Sequence, residues 1–276
     1  MSLASKLSAG LFAAACVCQL AAAEVLTINE PADVVNTQLK QLTKTVVKTD
    51  DGMAVKGQYF VLFSAKTLTM DPAKKYKISG EFRLKEGVET GLAYLGFAPF
   101  DADGKLIPPV SVNIIPKTYT VVAKAAAAGD SVIYVKDASK WKTNDALYHV
   151  VFDAKEDLSD LPNRNYASIV KDGIKQDGDV WAITLKAPLK NAIAEGTGVR
   201  QHRSGSSYIY AKTSKDVNPE NWTSVSGTIS GAVSEHGLYG GKLWHGTATV
   251  RALVMMLNGK KGNVIEVRNI KVEELE

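Results

Sequence analysis

Cysteine is nearly absent from this sequence. Among 276 residues there are two cysteines, Cys16 and Cys18, and both lie in the first 18 positions. The remainder of the chain therefore has no disulfide, no thiolate metal site and no cysteine nucleophile. Its stability depends on a buried core, and a chain of this length can bury a large one.

The chain also lacks a strong charge of one sign. It has 33 basic and 29 acidic residues, a formal net charge of +4, and its basic residues form no block. Nucleic-acid-binding proteins usually concentrate positive charge on one face or segment. The composition, with 45% hydrophobic and 22% charged residues, is typical of a globular protein. It argues against disorder and against nucleic acid as the partner.

The first 23 residues predict export. Lys6 precedes a short apolar stretch, and three alanines end the segment before Glu24. These are the basic start, the apolar segment and the small-residue cleavage site of a secretory signal. We expect cleavage after Ala23 and a secreted or periplasmic protein, without a transmembrane anchor because the apolar stretch is too short. A lipoprotein anchored at Cys16 is the alternative.

Convincing helical periodicity is missing from every window of 12 or more residues, whereas the alternation typical of strands recurs. Residues 75–85 place apolar side chains on one face and charged ones on the other. Residues 92–100 and 248–257 are apolar on both faces, which predicts central strands. Residues 264–272 predict a strand whose alternation slips at Arg268 and Asn269, as at a bulge. The pattern favours an all-β fold.

The middle of the chain has shorter predicted strands separated by close turns. They cover residues 131–135, 147–152, 167–170 and 180–185. This stretch begins near Pro116 and ends near residues 204–206, and both ends are polar and rich in turn residues, like linkers. We predict a small β-barrel-like insert domain over residues 118–203. It interrupts a discontinuous β-sandwich formed by residues 24–117 and 204–276.

Four segments outside the insert carry a resemblance to a known family. They are Y-K-I-S-G-E-F-R at 76–83, Y-L-G-F at 94–97, W-T-S-V-S-G-T-I at 222–229 and V-I-E-V-R-N-I-K-V-E at 264–273. Together they resemble carbohydrate-binding modules with a galactose-binding-like, jelly-roll β-sandwich. The resemblance implies that fold and a polysaccharide or glycan as the partner.

The insert has a resemblance of its own. Its segments A-G-D-S at 128–131, D-L-P-N at 160–163 and G-T-G-V-R at 196–200 resemble small β domains of phage-tail and bacterial surface proteins. This resemblance implies a protein partner for the insert.

Candidate sugar-binding residues lie in turn-rich segments near the C-terminus. Sugars bind on exposed aromatic rings while polar side chains hydrogen-bond their hydroxyls. The candidate residues of this kind are Trp222, Tyr239, Trp244 and His245. The alternative is that Trp222 and Trp244 begin strands and pack on the core.

Asp101 and Asp103 are candidate ligands for a structural calcium ion. They offer carboxylate oxygens at alternate positions of the segment D-A-D-G, as calcium loops do. The segment lacks the terminal glutamate of an EF-hand loop. The same pattern is also typical of a plain hairpin turn, so both interpretations stand.

Sequence signatures of catalysis are missing. The four histidines form no H-E-x-x-H motif, and the chain has neither a nucleophile elbow nor a phosphate-binding glycine loop. His236 and His245 could converge from one loop. We therefore expect a non-catalytic, exported, glycan-recognising protein, with a structural or adhesive surface module as the alternative. A polysaccharide-active enzyme is a third interpretation, because carboxylates on facing strands leave no local signature.

Overall fold

The computed structural model describes residues 23–35, 46–57, 59–87, 92–214, 217–233, 238, 241–257 and 262–276. In these ranges the chain is almost entirely β and has no α-helix; 3₁₀ turns occur at Pro31–Asp33 and Pro109–Ser111. No helix of the described ranges has the length and apolar character needed to cross a membrane. The predicted signal up to residue 22, Tyr239 and His236 lie outside the described residues.

The six-stranded sheet forms one layer of a sandwich. It comprises β1 (Ala23–Ile28), β3 (Val46–Thr49), β4 (Gly52–Lys56), β6 (Lys75–Glu86), β15 (Thr223–Ser230) and β17 (Val264–Leu275). The strand order is β15-β6-β17-β4-β3, and β1 pairs with β17. Burial alternates along β6, as its sequence pattern predicts. The register of β17 shifts between Arg268 and Lys271, so the predicted bulge is confirmed.

The five-stranded sheet forms the other layer. It comprises β2 (Val34–Val35), β5 (Phe60–Ser64), β7 (Leu92–Phe100), β14 (Ile209–Ser214) and β16 (Thr249–Leu257), in the order β14-β7-β16-β5-β2. Both strands predicted to be central, β7 and β16, have neighbours on two sides. Phe60, Phe97 and Val254 of this sheet share one buried cluster with Phe82 and Ile270 of the six-stranded sheet. This cluster is the sandwich core.

A closed barrel forms the third part. Its strands are β8 (Thr120–Lys124), β9 (Val132–Val135), β10 (Tyr148–Phe152), β11 (Tyr166–Asp177), β12 (Val180–Leu185) and β13 (Gly198–Arg203). They close in the order β10-β11-β12-β9-β8-β13 around a separate apolar cluster that includes Val122, Ile133 and Val150. All six strands fall within the segment predicted to be inserted. The exact domain boundaries remain a prediction.

Candidate functional site

Trp244 does not present its ring to solvent. Its side chain is 3% exposed and belongs to the sandwich core, so the expectation of an exposed ring at this position is wrong. The glycine-rich sequence around it suggested an open loop. Instead the segment is tied to its neighbours, because Leu243 N donates to Gly231 O and Val233 N donates to Leu243 O. The alternative that Trp244 packs on the core describes this residue.

Trp222 lies half-buried on the outward side of the six-stranded sheet. The guanidinium groups of Arg83 and Arg268 lie over its ring, 4.5 and 4.0 Å from the ring centroid. Each arginine is also paired with a carboxylate across the sheet, Arg83 with Glu266 at 2.6 Å and Arg268 with Glu81 at 2.8 Å. The ring is thus already engaged in cation–π contacts. Its predicted role in sugar binding stays a prediction.

Asp101 and Asp103 form a turn rather than a ligand cage. Asp101 Oδ1 accepts hydrogen bonds from the backbone N–H groups of Asp103 and Lys105, while Asp101 Oδ2 pairs with Arg164 at 2.7 Å. Asp103 points into solvent beside Lys105. The described residues hold no group of three or more His, Cys, Asp or Glu side chains arranged for a metal ion. Because both carboxylate oxygens of Asp101 are bonded to these partners, the geometry favours a hairpin turn over a calcium site.

A different set of aromatic side chains converges on the outward side of the five-stranded sheet. We call it the tyrosine face, and it consists of Tyr59, Phe63, Tyr94, Tyr208, Tyr210, Leu253 and Met255. Alternation along β5, β7, β14 and β16 turns these side chains away from the sandwich core, and most of them form an apolar cluster of their own. The sequence prediction did not include any of these residues.

Ring contacts run across this face. Tyr94 and Tyr210 have centroids 4.9 Å apart, Tyr208 and Tyr210 lie 6.3 Å apart, and Phe63 meets the edge of Tyr208 at 5.6 Å. Strands β16 and β7 separate β5 from β14, which is a spacing of about 14 Å. Phe63 and Tyr208 therefore meet above the intervening strands, where they cover Leu253, which is fully buried.

The rim of the tyrosine face stays open to solvent. Tyr59 is 42% exposed, and Tyr94 and Tyr210 are half-buried. Burial raises the pKa of the Tyr210 hydroxyl despite a hydrogen bond from Ser206, and the nearby Tyr94 and Tyr59 add to the increase. A tyrosine hydroxyl can both donate and accept hydrogen bonds. Aromatic rings that are partly accessible and carry hydroxyl groups match the chemistry of sugar recognition.

A buried ion pair lies between the barrel and the sandwich. Arg200 Nη2 and Asp160 Oδ2 are 2.9 Å apart, with side chains 3% and 5% exposed. Burial alone would raise the pKa of the Asp160 carboxyl, but a hydrogen bond from Asn163 and the charge of Arg200 outweigh it, so that pKa is lowered. A buried pair whose partners are also hydrogen-bonded avoids the cost of an isolated charge.

His202 joins this ion pair to the sandwich. Its Nδ1–H donates to the backbone oxygen of Val110 at 2.7 Å, and its Nε2 accepts from Nε of Arg200 at 2.9 Å. The carbonyl can only accept and the guanidinium can only donate, so these two bonds require the neutral ring. Burial, together with the charge of Arg200, lowers the pKa of His202 to about 3.

His245 lies at the same junction, not on an open binding surface. Its Nε2 is buried and has no hydrogen-bond partner in the described ranges, and burial together with the charge of Arg200 lowers its pKa. The following residue, Gly246, has a φ of +72°, and a Cβ there would lie 2.3 Å from Cδ of Pro162. A glycine thus allows the His245 segment to approach the barrel closely. The geometry favours a structural role for His245.

One sequence signal could have pointed to the tyrosine face. Residues 92–100 and 248–257 are apolar on both sides, although a sandwich buries one side of each sheet. The second apolar side must therefore meet something other than water. Tyr208 and Tyr210, two residues apart, share a side of the next strand.

No model of a known protein family matches this chain, and no curated protein matches it either.

Proposed function

We propose that this protein is an exported, non-catalytic, glycan-recognising β-sandwich protein that binds its ligand on the tyrosine face. The single observation that carries the proposal is the set of clustered rings with solvent-facing edges, Tyr59, Tyr94 and Tyr210. The sequence resemblance to carbohydrate-binding modules supports the same function.

Preorganisation is the physical advantage of this face. The rings of Tyr94 and Tyr210 pack with their centroids 4.9 Å apart, and Tyr208 packs edge to face with Tyr210. A ring that is already fixed loses little side-chain entropy when it stacks on a sugar. Large aromatic side chains also supply apolar contact area from few rotatable bonds. The face therefore offers ring stacking and hydrogen bonding by hydroxyl groups at the same place.

A structural or adhesive surface module is the second candidate. The observation that favours it is the contact of Phe63 with Tyr208, since these rings cover the centre of the face themselves. On this interpretation the tyrosine rim would be a support for the sheet and would bind no sugar.

A glycan-binding screen tests the proposal. We expect the full chain to bind at least one polysaccharide, and Tyr94→Ala to weaken that binding by at least about tenfold, because truncating an anchoring ring usually costs 2 kcal/mol or more. Affinity electrophoresis over plant, algal, host and bacterial polysaccharides provides the screen, and titration calorimetry provides the affinity.

Two variants separate binding from folding. Tyr94→Phe keeps the ring and should retain most of the stacking, whereas Tyr94→Ala removes it. Val132→Ala, an exposed apolar position on the barrel, serves as the surface control and should leave affinity unchanged. Equal affinity of wild type and Tyr94→Ala would reject the tyrosine face as the binding site, and a screen without any bound polysaccharide would favour the structural module.

A further inference from the structure

A concave site lies on the barrel and shares no lining residue with the tyrosine face. It is a cleft of about 730 Å³ between the start of β11 and the segment that connects β12 to β13. Ligand sites in proteins typically enclose about 300–1,000 Å³. The cleft is therefore large enough for one or two sugar units.

Tyr166 presents a fixed ring at this cleft. The residue is 38% exposed, and its ring packs edge to face with the His149 ring, with centroids 5.4 Å apart. His149 is itself held on both sides, through Nε2 to Ser204 Oγ at 2.7 Å and through Nδ1 to Ser168 Oγ at 3.2 Å. An exposed aromatic side chain with such support is a preorganised stacking surface.

The opposite wall of the cleft is pinned to the barrel. Leu189 N donates to Asp130 O at 2.8 Å, and Ile193 and Ala126 exchange two backbone hydrogen bonds. Such bonds restrain a connecting segment that would otherwise move. The start of the segment is also tied to β11, because Lys186 N donates to Ser168 O at 2.8 Å.

The side chains that line the cleft carry a positive imbalance. Arg164 is neutralised by Asp101, which leaves Lys186 and Lys190 against one carboxylate, Asp153. The ammonium group of Lys186 donates a hydrogen bond to the backbone oxygen of Ala146 at 2.7 Å, outside the cleft lining, so Lys190 is the cation that can turn toward a ligand. Oδ2 of Asp153 accepts a hydrogen bond from the side-chain amide of Asn165 at 2.7 Å, which orients this carboxylate without cancelling its charge. A negatively charged ligand would be favoured over a neutral one here.

We propose that the barrel cleft binds acidic saccharides, with Tyr166 stacking on a sugar ring and Lys190 attracting its carboxylate. This inference rests on the proposed glycan-binding function and adds a second site with its own ligand class. It separates the roles of the two parts, because neutral rings on the tyrosine face provide no charge selection while the cleft does.

The test compares oligogalacturonides with neutral galacto-oligosaccharides of equal length, titrated into the full chain at low ionic strength. We expect the acidic series to bind several-fold more tightly and Tyr166→Ala to weaken it by at least about tenfold. Tyr119→Ala is the matched control, since Tyr119 is 39% exposed on the same barrel outside the cleft. Its effect should stay below about twofold.

Lys190→Gln provides an independent readout. It should reduce the preference for acidic over neutral oligosaccharides and flatten the salt dependence of binding, because an exposed charge acts through a screened interaction. An unchanged preference in Lys190→Gln, or unchanged acidic affinity in Tyr166→Ala, overturns the inference. If binding is lost in Tyr94→Ala but kept in Tyr166→Ala, the proposed function stands and the cleft is rejected. If wild type does not bind the acidic series, the cleft is rejected, and the proposed function is then decided by the polysaccharide screen and Tyr94→Ala alone.

Discussion

The two outward faces of the sandwich cover the same core with opposite kinds of side chain. On the six-stranded sheet, Glu81 pairs with Arg268 and Arg83 pairs with Glu266 across neighbouring strands. On the five-stranded sheet the corresponding side carries Leu253, Met255 and clustered aromatic rings. Cross-strand ion pairs are typical of a face that meets water. An apolar outward face has to be covered.

The difference is the reason why we place the proposed binding site on the five-stranded sheet. The charged face satisfies its own groups in pairs, so it has little left to offer a ligand, and Trp222 is held under two guanidinium groups. The tyrosine face covers its centre with its own rings and leaves the rim of Tyr59, Tyr94 and Tyr210 accessible. We therefore expect ligand binding on the tyrosine face, where aromatic rings cover the sheet only in part.

The largest expected effect tests whether the tyrosine face is a true packed layer. Leu253→Ala should lower the free energy of unfolding by about 2–5 kcal/mol, because a fully buried leucine leaves a cavity when truncated. Glu81→Gln on the charged face should cost at most about 1 kcal/mol, as partly exposed ion pairs do. Urea unfolding measures both variants. Equal losses in the free energy of unfolding would contradict the claim that one face is packed and the other solvated.

The pH dependence of the free energy of unfolding should distinguish the charged face from the junction between barrel and sandwich. The pKa of His202 is about 3 in the folded protein against 6.5 as its ordinary value, so the unfolded chain binds an extra proton between these pH values. Stability therefore falls as the pH drops from 6.5, by about 2 kcal/mol at pH 5. Unfolding of His202→Gln should lack this part of the slope.

The charged face loses its contribution to stability at lower pH than the junction does. The pKa values of Glu81 and Glu266 lie below their ordinary 4.5: burial pushes each upward, but hydrogen bonds from Asn269 and Arg268 and from Arg83 and Lys85 outweigh it. Their stabilisation is complete above pH 4.5 and is lost as the pH falls through the lowered values. A wild-type slope that begins only below pH 4.5 would contradict the role given to His202.

A smaller effect is expected at Trp222. Trp222→Ala removes two cation–π contacts of a half-buried ring and should cost about 1–2 kcal/mol, less than Leu253→Ala. Thermal unfolding monitored by circular dichroism measures the loss. A cost equal to that of Leu253→Ala would place Trp222 in the core and not on a solvated face.

Local patterns in the sequence were sufficient to predict four of the sandwich strands, β6, β7, β16 and β17. The alternation in β6, the two-sided apolar pattern of β7 and β16 and the slip at Arg268 each depend on neighbours a few residues apart. Such patterns follow directly from the two-residue period of a strand. They do not report which residues meet from distant strands.

The tyrosine face and the buried ion pair both depend on contacts between distant parts of the chain. Phe63 and Tyr208 are far apart in sequence yet their rings touch, and Asp160 meets Arg200 only because the barrel closes. Trp244 misled the prediction for the same reason, since its glycine-rich neighbours suggested an open loop while the tertiary fold buries its ring. Composition shows where chain reversals occur, but packing decides which side chains they bury.

The most direct measurement is a paired titration of the polysaccharide that the screen identifies, using Tyr94→Ala and Trp222→Ala of the full chain. Binding on the tyrosine face predicts at least about a tenfold loss of affinity for Tyr94→Ala and less than about twofold for Trp222→Ala, with both proteins folded. The reverse order, with Trp222→Ala abolishing binding and Tyr94→Ala leaving it intact, would contradict the assignment and place the sugar on the charged face.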